Sequence, residues 1–313
     1  MSTVRTVAEL RSAVAAARAR GRSVGLVPTM GALHAGHLSL IARAREQCGL
    51  VIVSLFVNPA QFDERADLER YPRREREDAA AAAAAGADVL FAPGVEEVYP
   101  EGFATLVEVA GVSERLEGAA RGSEHFRGVA TVVTKLLCMA TPDVAYFGQK
   151  DAQQLAVIRR LVRDLNLPVR IEALPTVREA DGLAMSSRNA LLDGEQRERA
   201  RALPAALAAA RELVAAGERS AAALTEAAAA AMAPYGVRPE YVALVDPETF
   251  APVAELAGAS SSQGEALLAL AARIGEVRLI DNATLSATAA PPRGVASTPS
   301  QRTRGEAIAT CSA

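Results

Sequence analysis

Short apolar segments alternate with helical segments through the first 175 residues, and this alternation restricts the fold more than any other feature. Residues 50–57, LVIVSLFV, form a nearly continuous run rich in β-branched side chains, which is typical of a strand buried on both faces. Further strand-like runs stand at 24–27, 88–91, 144–147 and 169–174, and helical segments separate them at 6–20, 38–47, 74–85, 129–139 and 152–166. This order predicts an α/β fold, with a doubly wound parallel sheet that carries helices on both faces.

The pattern changes after Pro175. Residues 193–233 predict two alanine-rich helices separated by Gly217, and strand-like segments follow at 241–245, 266–272 and 277–280. Helices followed by strands predict a smaller C-terminal α+β domain. From residue 287 the chain is Ala, Pro, Ser, Thr and Arg without periodicity, which is typical of disorder. We therefore expect domains at 1–176 and 177–286 and a disordered tail at 287–313.

The composition excludes several classes of protein. Lys and Arg number 34 against 37 Asp and Glu, for a net charge of −3, whereas binding to a nucleic-acid backbone requires clustered basic side chains. Three cysteines without CxxC spacing and three histidines argue against a structural zinc site and fit a reducing compartment. No run of 18 apolar residues occurs, and residues 1–22 lack the apolar core of a secretory signal. We expect a cytoplasmic protein that binds neither nucleic acid nor membrane.

Residues 28–40, PTMGALHAGHLSL, join a predicted strand to a predicted helix. Such junctions lie at the edge where open α/β sheets bind ligands, and a helix amino end attracts phosphate. The motif is not a P-loop, because His37 and Leu38 stand where Lys and Ser or Thr are required. His34 and His37 share a helix face. A lone histidine is most often structural, but two of the three histidines in one such loop favour a ligand site.

Two further strand ends carry polar side chains. In SLFVNPAQF, residues 54–62, Asn58 and Gln61 can bind hydroxyl groups or a carboxylate, although Asn-Pro is also a common turn. In FGQKDAQQ, residues 147–154, Lys150 can meet phosphate oxygens. Asp151 can cap the next helix, and Gln154 follows one turn later.

Two polar loops complete the set of candidates. DGLAMSSRN, residues 181–189, places Ser186, Ser187 and Arg188 together, and Arg binds phosphate in a bidentate manner; an ordinary loop with a helix cap is the alternative. LEGAARGSEHFRGV, residues 116–129, carries Arg121, His125 and Arg127 among glycines. It predicts a mobile loop that either covers an anionic ligand or is only solvated.

Together these segments resemble the pantoate–β-alanine ligase family of the nucleotidyltransferase superfamily, which is marked by an HxGH sequence. The resemblance extends from about Val4 to Leu285. HxGH alone is shared across the superfamily, whereas the whole ordered set is specific: PTMGALHAGH, SLFVNPAQF, YPR, LEGAAR, HFRGV, FGQKD, QQL, DGLAMSSRN and RLIDN. The family usually has Glu at the position of Gln149.

The resemblance implies a Rossmann-like domain for ATP and pantoate, a C-terminal lid domain and a homodimer. The implied reaction joins pantoate to β-alanine at the expense of ATP, through pantoyl adenylate. It assigns catalysis to His37, His34, Lys150 and Arg188, pantoate and β-alanine binding to Gln61, Gln154 and Asn58, and Mg²⁺ to Asp78. The implied ATP-binding residues are Met30, Gly31, Ala32, Leu33, His34, Ala35, Gly36, His37, Gly148, Gln149, Lys150, Asp151, Val177, Met185, Ser186, Ser187 and Arg188.

Two other functions are compatible with parts of the pattern. Another HxGH nucleotidyltransferase would act on a phosphorylated substrate and require more Arg and Lys around the second pocket than Asn58, Gln61 and Gln154 supply. A non-catalytic nucleotide-binding protein would be expected to lack His37, Lys150 or Arg188, and all three are present.

Overall fold

The apolar segments of the first half form one parallel sheet in a computed structural model that describes residues 1–62, 65–257 and 264–286. Its six strands lie in the order β1-β4-β3-β2-β5-β6. They are Ser2–Val4 (β1), Val24–Thr29 (β2), Leu50–Leu55 (β3), Val89–Phe91 (β4), Val144–Gly148 (β5) and Arg170–Leu174 (β6). The tail predicted at 287–313 lies outside the described residues.

Helices cover both faces of this sheet, as the alternation predicted. Alternate strand residues point to opposite faces, so Leu26 packs in a core with α1, α7 and α8, while Val27 packs in a core with α2 and α4. The helices of this region are Val7–Arg18 (α1), Ala35–Gln47 (α2), Arg65–Arg70 (α3), Glu75–Ala84 (α4), Val95–Val98 (α5), Glu117–Arg121 (α6), Ser123–Ala140 (α7) and Ala152–Asp164 (α8). The predicted α/β class is confirmed.

A three-stranded antiparallel sheet follows, in the order β7-β8-β9. Its elements are the helices Gly194–Ala200 (α9), Ala202–Ala215 (α10) and Ala221–Met232 (α11) and the strands Pro239–Val245 (β7), Glu265–Ile274 (β8) and Val277–Ser286 (β9). On β8, Leu268 packs in the core of α10 and α11, whereas Leu267 joins the core of the first sheet. The second sheet therefore lies between its own helices and the first sheet.

Three local predictions were wrong. Helix α7 begins at Ser123 and α6 ends at Arg121, so most of the predicted mobile loop is helical. Residues 193–233 hold three helices, because the chain is interrupted at Arg201 between α9 and α10 as well as after α10. Strand β9 runs to Ser286, six residues beyond its predicted end.

None of the helices in the described parts of the chain combines the length and the apolar character that a membrane span requires.

Candidate active site

The candidate site is a pocket at the carboxyl ends of β2 and β5. These strands are neighbours, but the chain continues from β2 to β3 on the other side, and open α/β sheets bind ligands where the order reverses in this way. The pocket has a volume of about 280 Å³, and Tyr241 and Arg278 of the second sheet complete its wall. Segments far apart in sequence therefore meet between the two sheets.

His34 and His37 lie together at the amino end of α2. His34 is the N-cap residue, and its Nδ1 accepts a hydrogen bond from the Gly36 N–H at 3.2 Å. The Nδ1 of His37 accepts from the His34 N–H at 3.4 Å, and the ring centroids are 4.1 Å apart. A Cβ at Gly36 would lie 2.9 Å from Cε1 of His34, so the absent side chain lets the ring fold over the first turn.

The surroundings of these two rings favour neutral imidazoles. Burial lowers the pKa of His37 to about 3, and His34 adds to this decrease. Burial also lowers the pKa of His34, with a further contribution from the charge of Lys150. Because each Nδ1 accepts a backbone hydrogen bond, the proton of each neutral ring is assigned to Nε2. Each ring therefore offers one N–H donor, which suits a phosphate oxygen.

Asp78 holds the loop between β2 and α2. Its Oδ2 accepts a hydrogen bond from the Ala32 N–H at 3.0 Å, and its Oδ1 accepts from the Leu33 N–H at 2.7 Å. The residue is buried on α4. A carboxylate whose two oxygens both bind backbone N–H groups is suited to fixing the shape of this loop.

The magnesium role implied for Asp78 does not fit these contacts. Mg²⁺ is usually held by one or two carboxylates together with substrate phosphates and water. Both Asp78 oxygens already serve the loop, so its geometry is that of a positioning residue.

Asn58 lies three residues after the end of β3, at the N-cap of the turn Pro59–Gln61, and positions Gln61. Its Nδ2 donates to Oε1 of Gln61 at 3.1 Å and to the Gly128 carbonyl at 3.2 Å. Its Oδ1 accepts from the Tyr99 hydroxyl at 2.7 Å, and Asn58 is 1% exposed. The Nε2 of Gln61 lies 2.8 Å from Sδ of Met30. Asn58 therefore orients Gln61, and the amide groups that it could offer to a ligand are already bound within the protein.

The 3₁₀ turn Pro59–Gln61 packs against the backbone of α7 at Gly128. A Cβ at Gly128 would overlap the Ala60 carbonyl and lie 2.8 Å from the Gln61 nitrogen. Only glycine allows this close approach, which brings Gln61 to the pocket wall.

His125 lines the pocket from α7. Its Nδ1 lies 2.7 Å from the Gln61 carbonyl oxygen, so Nδ1 is the donor of that hydrogen bond. Burial lowers the pKa of His125 to about 4, and the charge of Arg121 contributes to the decrease. The cationic loop predicted at 116–129 is thus a pair of helices whose histidine supports the Gln61 backbone.

Lys150 lies on the 3₁₀ turn Gln149–Asp151, between β5 and α8. Its side chain is 17% exposed, and its Nζ lies 3.7 Å from Oδ1 of Asp151. Asp151 occupies the N-cap position of α8, but its side chain makes no capping hydrogen bond there, contrary to the prediction. Asn282 of β9 donates from Nδ2 to the carbonyl oxygens of Gln149 and Lys150, at 3.1 and 2.8 Å.

The loop that carries Arg188 is anchored to the same strand. Nη1 and Nη2 of Arg178 donate to Oδ2 and Oδ1 of Asp281, at 2.6 and 2.9 Å. The Asp281 side chain is fully buried. Further along the loop, Oγ of Ser186 accepts from the Arg188 N–H at 3.2 Å and caps the 3₁₀ turn Ser187–Leu191.

Three pocket residues that the sequence analysis left without a role form a buried network. Glu117 accepts hydrogen bonds from both terminal nitrogens of Arg278, at 2.6 and 2.8 Å, and from the Tyr241 hydroxyl at 2.7 Å. Burial acts to raise the pKa of Glu117, but Arg278, Tyr241 and Arg121 together lower it. The Glu117 N–H also donates to Oε1 of Gln153 at 3.0 Å, beside Gln154. Glu117 lies in the motif LEGAAR and Arg278 in the motif RLIDN. Nothing in either motif indicates that these two side chains form an ion pair.

The pocket gathers most of the residues proposed from the sequence. Those of the ATP set that line it are Met30, His34, Gly36, His37, Gly148, Lys150, Asp151, Val177, Met185, Ser186, Ser187 and Arg188. Asn58, Gln61 and Gln154 line it as well. The others lie in the same loops but are not among its lining residues: Gly31, Ala32, Leu33, Ala35 and Gln149. Asp78 lines a neighbouring cavity.

Comparisons with known proteins agree on one family. The model of the pantoate–β-alanine ligase family matches residues 2–284. A pantothenate synthetase from Moorella thermoacetica is 52% identical over 286 residues, which cover 91% of this chain and 99% of the relative. One from Cereibacter sphaeroides is 55% identical over 279 residues, covering 89% and 98%.

Solved structures give the same result. The pantothenate synthetase of Thermus thermophilus superposes with a TM-score of 0.84 at 48% identity, covering 92% of this chain and 99% of that one. The pantoate–β-alanine ligase of Francisella tularensis, solved in complex with beta-gamma ATP and beta-alanine, has a TM-score of 0.73 at 32% identity, covering 93% and 99%.

Proposed function

The chain belongs to the pantoate–β-alanine ligase family, and from this we propose that it joins pantoate to β-alanine through an enzyme-bound pantoyl adenylate. The observation that carries the proposal is that one pocket contains both groups suited to phosphate and groups suited to a hydroxy acid. Phosphate-binding groups, namely His34, His37, Lys150 and Arg188, share that pocket with the neutral amides of Gln61 and Gln154.

In the first step, a carboxylate oxygen of pantoate attacks the α-phosphorus of ATP. A carboxylate oxygen–phosphorus bond forms, the bond from the α-phosphorus to the bridging oxygen breaks, and the electron pair leaves on pyrophosphate. This reaction requires alignment and stabilisation of charge on the phosphates rather than a covalent nucleophile of the enzyme.

The two histidines and the two cations divide this task. The Nε2–H groups inferred for His34 and His37 donate to phosphate oxygens at the amino end of α2, where backbone N–H groups and the helix dipole also favour an anion. The negative charge of the nucleotide raises the pKa of both rings when it binds, so His37 can also donate a proton. Lys150 and Arg188 then stabilise the leaving pyrophosphate.

In the second step, the β-alanine amine attacks the acyl carbon of the adenylate. A carbon–nitrogen bond forms, the bond to the AMP oxygen breaks, the amine loses a proton and AMP leaves. Adenylation makes this possible because a free carboxylate is a poor electrophile, whereas AMP is a good leaving group.

Neutral amides suit the pantoate part of the pocket. Gln61 and Gln154 can bind hydroxyl groups and a carboxylate without pairing the nucleophile with a permanent positive charge, which would weaken it. Asn58 supports this subsite through Gln61.

Other parts of the proposal rest on the family. Mg²⁺ would enter with ATP, held mainly by phosphate oxygens, since the Asp78 carboxylate serves the loop. A homodimer, a cytoplasmic location and a domain boundary near residue 176, with residues 177–286 acting as a lid, stay predictions.

Isotope exchange between pyrophosphate and ATP tests the adenylate. We expect exchange that depends on pantoate and occurs without β-alanine, and release of AMP only when both substrates are present. Exchange that requires β-alanine would contradict a free-standing adenylation step. Exchange without pantoate would contradict pantoate as the nucleophile.

A further inference from the structure

Strand β9 contacts both of the segments that carry the proposed pyrophosphate-binding cations. Asp281 and Asn282 are neighbours on β9, so their side chains leave opposite faces of the strand. Asp281 binds Arg178, in the loop that leads to Arg188, through two hydrogen bonds. Asn282 binds the turn that carries Lys150. Two adjacent residues of the second sheet therefore join two segments of the pocket. The Lys150 turn lies 132 residues before Asn282 in the chain, and Arg178 lies 103 residues before Asp281.

The contact of Asn282 with the Lys150 turn uses the full donor capacity of its amide. The two N–H groups of a side-chain amide can serve two acceptors at once, and Nδ2 lies within hydrogen-bond distance of the successive carbonyls of Gln149 and Lys150. The backbone N–H of Asn282 also donates to Oδ1 of Asp281 at 2.8 Å. The backbone of Asn282 is thus coupled directly to the residue that holds the Arg178 loop.

This arrangement bears on the first chemical step. Lys150 has a long, flexible side chain, and the 3₁₀ turn on which it lies is only three residues long. Fixing the carbonyl of Lys150 itself limits where the ammonium group can reach. Strand β9, which fixes this carbonyl, also holds the loop that carries Arg188. The positions of both cations therefore depend on the same strand.

We propose that Asn282 is a positioning residue for adenylation: its amide holds the Lys150 turn in the orientation that lets Lys150 and Arg188 act on the same leaving pyrophosphate. This inference rests on the role of Lys150 in the proposed function. The second sheet would then contribute to the first chemical step, because Asn282 of β9 positions Lys150, which lies on the turn after β5.

The test compares Asn282→Ala and Asn282→Asp with Thr284→Ala. Thr284 is an exposed residue on the same strand and serves as the matched control. Asn282→Asp keeps the size of the side chain but replaces both donors with acceptors that face carbonyl oxygens. The readouts are the rate of pyrophosphate exchange, the affinity for ATP by calorimetry, and the thermal midpoint by circular dichroism.

We expect Asn282→Ala to lower the exchange rate by roughly tenfold to a hundredfold, since a displacement of about 1 Å has effects of that size. Asn282→Asp should lower it further, and Thr284→Ala should stay within about twofold of the wild type. ATP affinity is then measured in a Lys150→Ala background. There, adding Asn282→Ala should weaken ATP binding by less than about twofold relative to Lys150→Ala alone, because the two residues act through one contact.

Two results would overturn the inference. One is a wild-type exchange rate in folded Asn282→Ala and Asn282→Asp variants beside an impaired Lys150→Ala variant. The other is the same fractional loss of ATP affinity with and without Lys150, which a general structural role would produce. A Lys150→Ala variant with wild-type exchange would instead refute the proposed role of Lys150, and this inference with it.

Discussion

The side-chain amide of Asn58 donates a hydrogen bond to Oε1 of Gln61 at 3.1 Å. The same amide binds the Gly128 carbonyl and the Tyr99 hydroxyl, so Asn58 joins β3, α7 and the segment after α5 behind the pocket. Gln61 reaches the pocket wall on this support. Two residues that look equivalent in the sequence therefore differ in the structure: Gln61 is placed at the pocket wall, and Asn58 holds it there.

Replacing Asn58 with Ala should lower stability and weaken pantoate binding together. The substitution leaves the Tyr99 hydroxyl and the Ala60 N–H without the acceptor oxygen that they share, which costs about 1–3 kcal/mol of unfolding free energy, and it frees Gln61 to rotate. We expect the KM for pantoate to rise more than the KM for ATP. Gln61→Ala is the matched variant and should raise the KM for pantoate with little loss of stability. An unchanged KM for pantoate in Asn58→Ala would contradict the positioning role.

Gly128→Ala should displace the turn that carries Gln61. The new Cβ would overlap the Ala60 carbonyl, which is backbone and cannot rotate away, and overpacking of this kind costs about 1–3 kcal/mol. Urea unfolding and the KM for pantoate are the measurements. Gly194→Ala is the control, because a Cβ there has no heavy atom within 4 Å. Equal behaviour of the two variants would show that the close approach is unimportant.

Asp78→Asn should impair turnover without changing the need for magnesium. The amide offers one acceptor oxygen in place of the two that bind Ala32 and Leu33, so the loop before His34 loosens, and misalignment on that scale costs about tenfold or more in rate. Turnover is measured while Mg²⁺ is titrated at fixed ATP. A rise in the Mg²⁺ concentration needed for half-maximal rate, with full turnover at saturation, would favour a metal ligand instead.

Acidification should destabilise the protein through its buried histidines. The pKa values of His37 and His125 in the folded chain are about 3 and about 4, below the ordinary value of about 6.5 for an unfolded histidine. Between these values the unfolded chain binds more protons than the folded chain. The contribution of these histidines to the unfolding free energy is therefore complete above about pH 6.5 and decreases as the pH falls toward 4.

His125→Gln tests this pH dependence. The unfolding free energy is measured in urea at pH 7.5 and at pH 5.0. We expect the difference between the two values to be smaller in His125→Gln than in the wild type, by on the order of 1 kcal/mol. Glutamine stays neutral over this pH range, so the substitution removes the titration of the ring. An identical pH dependence in the two proteins would contradict a buried neutral His125.

Several features were predictable because they depend on neighbouring residues alone. The run at 50–57 indicates a buried strand by its β-branched side chains, and β3 forms there. His34 and His37 are three residues apart, so a helix that begins between them must bring the rings together. The boundaries were less accurate where the local signals conflicted: glycines at 122 and 128 suggested a loop, but packing against the turn Pro59–Gln61 stabilises a helix through Gly128.

The order of strands and helices, and the loops in which the polar residues stand, follow from local propensity and hydrophobic periodicity. The sequence was therefore enough to predict the parallel sheet and the edge at which the candidate pocket lies. Which polar residue faces the pocket and which supports it depends on partners distant in the chain. Asp78 binds a loop 45 residues earlier, and Asn282 binds a turn 132 residues earlier. A buried donor or acceptor must find a partner in space, and only the tertiary structure decides where that partner lies.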